Sequence, residues 1–162
     1  MQRHSVLFVC LGNICRSPLA EGVFRAALRR RELHGRFDVD SCGTGGWHAG
    51  EAPDPRSVAT ASLHGLDIAH QRARRLCDED FQRFDAIVAM DRQNEQAIIA
   101  RRPVGSAARV ARYTQFAGAR APADVPDPYY GGDDGFETVY GLLERGADAL
   151  IDAVLAGSGP WR

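Results

Sequence analysis

The 162-residue chain contains no lysine, so all 20 of its basic side chains are arginines. Guanidinium groups suit planar anions, but the nucleotide bias of a genome explains the same composition, and we draw no function from it. The 21 acidic residues leave a formal net charge of −1. This balance shows neither the basic footprint of a nucleic-acid-binding protein nor that of a protein held on an anionic membrane.

Long apolar runs are also missing from the chain. No run reaches the roughly 18 residues that a membrane span needs, and residues 1–4 lead directly into a strand-like segment without the charged region and cleavage site of a signal peptide. We therefore expect a cytoplasmic protein with no membrane partner. The length and the 44% of hydrophobic residues predict one globular domain over residues 1–162.

The chain has only four cysteines, and their spacing shows no paired motif. With no secretory signal, a disulfide framework is not expected. The spacing of the four also lacks the paired CxxC motif of a structural zinc site: Cys10, Cys15, Cys42 and Cys77. A thiol with a chemical role, in a site without a metal, is the expectation.

Short β-rich runs alternate with helical patterns along the chain. Strands are predicted over residues 5–9, 37–41, 85–90 and 109–113. A first helix is predicted with Ser17 as its N-cap. Three more helices are predicted, from Asp54 to near Gly65, from Asp91 to about Arg101, and over residues 134–155. This alternation favours a parallel sheet between two helical layers, followed by a loose tail over residues 157–162.

The first strand leads into the segment CLGNICRSP, which ends on a predicted helix. Backbone N–H groups and the positive end of a helix dipole bind phosphate in such a loop, and Gly12 lets the backbone close around the anion. The same groups, with Arg16, stabilise a thiolate at Cys10, and Arg16 can hold two phosphoryl oxygens in a fork. We predict Cys10 as nucleophile and Arg16 as phosphate clamp; an inert, buried Cys10 is the alternative.

Residues 114–132 form a loop rich in Gly, Pro and Asp that is too long to be a plain connector. Asp127, between two prolines, is the candidate general acid, because a phenolate with a pKa near 10 leaves faster when it is protonated. Tyr129 and Tyr130 could wall the cleft and stack on an aromatic substrate. The alternative is an ordinary turn with two surface tyrosines.

Six separated motifs follow one another along the chain: CLGNICRSP, GTGGWH, DPR, MDR, DPYYG and FETVY. Together they resemble the low-molecular-weight protein tyrosine phosphatase family over nearly the whole chain. The resemblance implies a three-layer αβα sandwich with a four-stranded parallel sheet (phosphotyrosine phosphatase I-like, Rossmann-like) and no cofactor. It also implies hydrolysis of phosphotyrosine through a phosphocysteine on Cys10, with Asp127 as general acid and then base, and acid phosphatase activity on aryl phosphates.

The same resemblance implies partners and further site residues. The partner would be a tyrosine-phosphorylated protein, for which a bacterial tyrosine kinase is a candidate by family analogy, and inorganic phosphate would be the product. We expect a monomer, with weak dimerisation as the alternative. The substrate would contact the first loop and a rim: Leu11, Gly12, Asn13, Ile14, Cys15, Ser17, Trp47, Tyr129 and Tyr130.

Supporting roles are implied in the same way. A hydrogen-bond network of Asn13, Ser17, Ser41 and His70 would hold the first loop in shape, with the Ser17 hydroxyl assisting Cys10 as a leaving group. Taken by itself, His70 is better explained as a surface or satisfied core histidine. Asp91 would orient Arg16 by a salt bridge, although a helix N-cap explains it equally well. Cys15 would trap oxidised Cys10 as a reversible disulfide and so make the site redox-sensitive.

Three other functions are alternatives to the predicted tyrosine phosphatase. A thioredoxin-linked arsenate reductase of the same fold needs further redox cysteines after the third strand, and residues 91–113 contain none. A protein-arginine phosphatase of the same family has Thr where this chain has Ile14. A non-enzymatic phosphate-binding or redox-sensing protein predicts loss of Cys10, Arg16 or Asp127, and all three are present.

Overall fold

The structure is a computed structural model that describes residues 2–132 and 134–162. Across those residues, four parallel strands form one sheet in the order β2-β1-β3-β4. The strands are β1 (His4–Cys10), β2 (Phe37–Gly43), β3 (Ala86–Ala89) and β4 (Arg109–Arg112). The predicted four-stranded parallel sheet is confirmed.

Helices cover both faces of this sheet. They are α1 (Arg16–Arg30), α2 (Pro55–Leu63), α3 (Asp80–Arg83), α4 (Arg92–Arg101) and α5 (Asp134–Ala156), with short 3-10 turns at His34–Arg36 and Tyr113–Phe116. Helices α1, α2 and α5 pack together on one face, and α4 packs on β3 and β4, so the predicted αβα sandwich is confirmed. Within the described part of the chain, no helix is both long enough and apolar enough to cross a membrane.

Strand β1 is buried on both faces, which is why it reads as a continuous apolar run. Val6 and Phe8 belong to the core under α1 and α5, whereas Leu7 and Val9 belong to the core on the other face, and all four are 0% exposed. Full burial of one such side chain stabilises the fold by about 1.5–3 kcal/mol. The strand that carries Cys10 is therefore among the best anchored elements of the fold.

The strand order places a crevice at the carboxyl end of β1. This strand pairs with β2 on one side, from His4 opposite Phe37 to Cys10 opposite Gly43, and with β3 on the other. The chain leaves β1 and β3 in opposite directions, and ligands of doubly wound sheets bind at such a switch point. Cys10 is thus the last paired residue of β1, at the mouth of the crevice.

Two predicted N-caps are confirmed, and one is wrong. The Asp54 carboxylate accepts from the Arg56 amide at 2.8 Å, and that of Asp91 accepts from the Asn94 amide at 2.7 Å. Ser17, in contrast, lies inside α1, which begins at Arg16 with no side-chain cap. Its hydroxyl instead turns towards the sulfur of the first loop.

The tail over residues 157–162 is not loose, so this prediction is also wrong. The backbones of Val110 and Arg162 exchange two hydrogen bonds, of 3.1 and 2.8 Å, along β4. Trp161 packs its ring against Phe116, with 5.3 Å between the centroids, and the Arg109 guanidinium lies 5.8 Å from the indole. The tail covers hydrogen-bonding groups that an edge strand would otherwise expose.

Candidate active site

The sulfur of Cys10 lies at the centre of the first loop and is almost completely buried. Cys10 is 2% exposed. Its Sγ atom accepts a hydrogen bond from the Asn13 amide at 3.3 Å and lies 3.0 Å from the Ser17 hydroxyl. A negative sulfur at this place is therefore directly hydrogen-bonded by groups of its own loop.

The loop turns its carbonyl groups outwards. Four of them accept hydrogen bonds of 2.8–3.0 Å from outside the loop: Cys10 from Thr44, Leu11 from Gly45, Ile14 from Asp54, and Cys15 from the Ser57 hydroxyl. In a planar trans peptide the following N–H points the opposite way. Several loop amides therefore face inwards, as a phosphate cradle requires.

The buried side chain of Asn13 holds the first loop in shape. Its φ is 57°, in the left-handed region that Asn tolerates better than most residues. Its side-chain amide donates to the hydroxyls of Ser17, at 2.8 Å, and Ser41, at 3.0 Å, and its carbonyl accepts from the Arg74 amide at 3.0 Å. The structure thus brings together Asn13, Ser17 and Ser41, as the family resemblance implied.

His70 does not join this network. Its side chain is exposed, and the next residue, Gln71, takes the expected position. The Ser41 hydroxyl donates to the side-chain oxygen of Gln71 at 3.4 Å, and the side-chain NH₂ group of Gln71 donates to the Pro18 backbone carbonyl at 3.0 Å. Gln71 therefore makes the contact to Ser41 that the resemblance assigned to His70.

Arg16, the first residue of α1, is held in a single orientation. Its side chain is 4% exposed, and one guanidinium nitrogen donates to Asp91 at 2.7 Å and to the Val125 carbonyl at 3.0 Å. Burial works against its charge, but Cys10 and Asp91 outweigh burial and raise the pKa of Arg16. Asp91 thus serves both as the N-cap of α4 and as the partner of Arg16.

Asp127 faces the same space from the second loop. One carboxylate oxygen accepts from the Tyr129 amide at 3.0 Å, and the other lies 3.7 Å from the Arg16 guanidinium. The side chain is 43% exposed, so a substrate can reach it. The rings of Tyr129 and Tyr130 stand edge to face with centroids 4.9 Å apart.

A cleft of about 310 Å³ joins these groups. Its lining includes the predicted catalytic and rim residues together with one that the sequence analysis missed: Cys10, Leu11, Gly12, Ile14, Cys15, Arg16, Trp47, His48, Asp127, Tyr129 and Tyr130. Trp47 is 71% exposed, and its ring lies over Gly45, where an added Cβ would come within 1.9 Å of it. The missed residue, His48, lies 2.8 Å from Glu51; it ends the GTGGWH motif, from which only Trp47 was assigned to the site.

Two predicted substrate contacts lie beneath the loop instead. Asn13 and Ser17 are 2% and 0% exposed and are not part of the cleft lining, so they shape the cradle from within. Cys15 does line the cleft, and burial raises the pKa of its thiol to about 12. Its disulfide with oxidised Cys10 stays a prediction, because all four cysteines are free thiols in the structure.

The fold and site define an α/β protein with an anion cradle built around a thiol. Between residues 2 and 162, leaving out residue 133, no group of three or more His, Cys, Asp and Glu side chains is arranged to hold a metal ion. The family model described as low molecular weight phosphotyrosine protein phosphatase matches residues 5–157.

Relatives and solved structures agree with this match. A low molecular weight phosphotyrosine protein phosphatase of Schizosaccharomyces pombe is 49% identical over 83% of this chain and 86% of its own. The corresponding protein-tyrosine-phosphatase of Streptomyces coelicolor is 43% identical over 93% of each chain. The crystal structure of a protein tyrosine phosphatase from Entamoeba histolytica, with Hepes in the active site, superposes with a TM-score of 0.91 at 35% identity, covering 95% of this chain and 98% of that one.

The chain therefore belongs to the low molecular weight phosphotyrosine protein phosphatase family. The predicted family, fold and enzyme class are confirmed at this level.

Proposed function

We propose that this enzyme hydrolyses phosphotyrosine in proteins through a phosphocysteine on Cys10. The observation that carries the proposal is the convergence of three groups on one cleft: the Cys10 sulfur, the Arg16 guanidinium and the Asp127 carboxyl. These are the nucleophile, clamp and acid that phosphoryl transfer to a thiol requires.

In the first half-reaction the Cys10 thiolate attacks phosphorus. An S–P bond forms while the P–O bond to the phenol breaks, and Asp127 donates a proton to the departing oxygen. Arg16 and the inward amides bind the three equatorial oxygens, where charge concentrates. Because Asp91 and Val125 already hold Arg16, little reorganisation is needed in the transition state.

In the second half-reaction water attacks the phosphocysteine. Asp127, now a carboxylate, takes a proton from that water as the S–P bond breaks. The sulfur leaves as a thiolate, and the Ser17 hydroxyl, 3.0 Å away, can donate a hydrogen bond to it. Inorganic phosphate is the product.

The rim supports an aryl substrate. Trp47, Tyr129 and Tyr130 line the cleft beside Ile14, and apolar and aromatic surfaces suit the ring of phosphotyrosine. Ile14 also argues against the phosphoarginine alternative, for which the resembling proteins have Thr. Tyrosine-phosphorylated proteins are therefore the proposed substrate class.

Hydrolysis of p-nitrophenyl phosphate, a phosphotyrosine peptide and phosphoarginine, measured side by side with EDTA present, tests the proposal. We expect turnover of the two aryl substrates and its loss in Cys10→Ser. Asp127→Asn should slow the phosphotyrosine peptide by about 10²–10⁴-fold and p-nitrophenyl phosphate, which has the better leaving group, less. Cys77→Ser is the matched control, since Cys77 lies outside the cleft. Undiminished turnover in Cys10→Ser would remove Cys10 as the nucleophile, and an inactive wild type would favour arsenate reduction or phosphate sensing.

A further inference from the structure

The turn that opens α2 touches both loops of the active site. The Asp54 amide donates to the Ile14 carbonyl at 2.8 Å, and the Ser57 hydroxyl donates to that of Cys15 at 3.0 Å. Between them, Arg56 reaches the other way and donates to the Tyr129 carbonyl at 3.1 Å. One short turn therefore connects the loop of the nucleophile with the loop of the acid.

The orientation of Arg56 is fixed by several contacts. Its guanidinium makes a paired contact with Asp54, with Nε 3.0 Å from one carboxylate oxygen and Nη2 2.9 Å from the other. The same group lies 4.8 Å from the ring centroid of Phe136 and 5.4 Å from that of Tyr129. The Arg56 hydrogen bond holds the pKa of Asp54 below its usual value, so the pair is charged at neutral pH. A planar fork of this kind is specific to arginine.

Asp127 lies between two attachment points of its loop. Upstream, the Val125 amide donates to the Met90 carbonyl at 2.8 Å, and the Val125 carbonyl accepts from Arg16. Downstream, Asp127 itself accepts from the Tyr129 amide. Tyr129 is also the residue whose carbonyl Arg56 holds, so Arg56 fixes the downstream end of the segment that orients the carboxyl group.

We infer that Arg56, paired with Asp54, is a positioning residue that holds the Asp127 carboxyl in place to protonate the leaving group. Arg56 is not part of the cleft lining, so it acts through the loop rather than on the substrate. The inference rests on the proposed function, in which Asp127 is the general acid. A shift of about 1 Å in a catalytic group can cost about 10²-fold in rate, so a loosened loop is expected to weaken proton donation.

The test is the dependence of kcat/KM on leaving-group pKa, measured with a series of substituted phenyl phosphates. This quantity reports the steps up to departure of the phenol. Phenols of high pKa need the proton most, so Arg56→Gln should lower kcat/KM for phenyl phosphate by about 10-fold or more and that for p-nitrophenyl phosphate much less, giving a steeper dependence. Arg56→Lys should fall between Arg56→Gln and the wild type, because it keeps the charge but not the fork.

Two further variants control the experiment. Asp54→Asn removes the ion pair but keeps a good N-cap for α2, so it should steepen the dependence in the same direction; it also decides the question if Arg56→Gln does not fold by circular dichroism. Arg109→Gln is the matched control, because Arg109 likewise donates to a carbonyl, that of Gly157 at 2.8 Å, and lies over an aromatic ring, yet it sits at the opposite end of the sheet. It should leave the dependence unchanged.

The outcomes separate the inference from the function on which it rests. If Asp127→Asn steepens the dependence and the Arg56 and Asp54 variants do not, the positioning role is wrong and the proposed function stands. A uniform loss across the substrate series in Arg56→Gln and Asp54→Asn would likewise reduce Arg56 to a structural role. If Asp127→Asn itself shows the wild-type dependence, Asp127 is not the acid, and the general-acid step of the proposed function fails together with the inference.

Discussion

Asn13 combines an unfavourable backbone conformation with a full set of side-chain hydrogen bonds. The φ of 57° costs most non-glycine residues about 1–2 kcal/mol. Two hydroxyls and one backbone amide are satisfied by its buried side chain. The cost of the conformation is therefore offset only while the amide group is present.

Replacement of Asn13 separates these two effects. Asn13→Ala should lower the free energy of unfolding by about 2–4 kcal/mol, because it leaves buried polar groups unpaired and keeps a strained Cβ. Asn13→Gly loses the same hydrogen bonds without the strain and should be about 1 kcal/mol less destabilised. Urea unfolding of both variants measures the difference. Equal stabilities would mean that the left-handed backbone costs no more in this loop than the extra entropy that glycine loses on folding.

The positions of site residues were predictable where one local motif contains them. Cys10 and Arg16 stand six positions apart in one loop, and the structure places both at one cleft. Arg56 and Val125 were missed because their contacts to the site come from segments 73 and 109 residues away in sequence. The shift from His70 to Gln71 has the same origin, since the path of an irregular segment decides which neighbour points inwards.

At the scale of elements, α5 carries two interior glycines with opposite surroundings. A Cβ on Gly146 would lie 2.7 Å from the ring of Tyr113, which is fully buried and donates from its hydroxyl to the Leu143 carbonyl. A Cβ on Gly141 would meet only the end of the Arg145 side chain, at 3.5 Å. Close packing of Tyr113 against α5 therefore requires a glycine at position 146 but not at position 141.

Alanine at these two positions should change stability with opposite signs. Gly141→Ala should raise the free energy of unfolding by about 0.5–1 kcal/mol, as expected for a helix interior. Gly146→Ala should lower it by about 1–3 kcal/mol, because the new methyl group overpacks the core. Thermal unfolding of the pair gives both values, and stabilisation by Gly146→Ala would show that Tyr113 can move aside at little cost.

The predicted ends of elements were correct where a local capping residue sets them, and wrong where tertiary contacts determine the local structure. Asp54 and Asp91 cap their helices as predicted. Ser17 has the right residue type before a proline, but its hydroxyl is used by the sulfur and Asn13 instead. The tail was predicted to be loose because it is rich in small and polar residues. In the structure it is held by the Trp161 indole and by hydrogen bonds to the edge strand β4. No local sequence pattern indicates these contacts.

At the scale of the whole molecule, a cluster centred on Arg74 links helix α3 to the loop of the active site. Arg74 donates from its side chain to the Asp80 carboxylate at 3.0 and 2.9 Å, while its backbone amide binds Asn13. The Asp80 side chain is 4% exposed. Burial alone would raise the pKa of Asp80, but the hydrogen bonds from Arg74 and from the Cys77 amide outweigh it and lower that pKa.

This balance predicts how stability changes with pH. Because the folded-state pKa of Asp80 lies below the unfolded value of about 3.9, its contribution is complete above that pH and is lost as the pH falls through the folded value. Asp80→Asn should lower the free energy of unfolding at pH 7 by about 1–3 kcal/mol and flatten the decline below pH 4. Urea unfolding from pH 7 to 3 measures both effects; parallel curves for the variant and the wild type would exclude Asp80 from the acid response.

The placement of the two tryptophans has a practical consequence. Trp47 lies exposed at the mouth of the cleft, whereas Trp161 is partly covered, next to a second cavity that residues at the amino ends of β1 and β4 help to line. An anion or phenol that enters the cleft changes the surroundings of one indole and leaves the other as it was. The fold thus contains its own fluorescent reporter of occupancy, with an internal reference at the far end of the sheet.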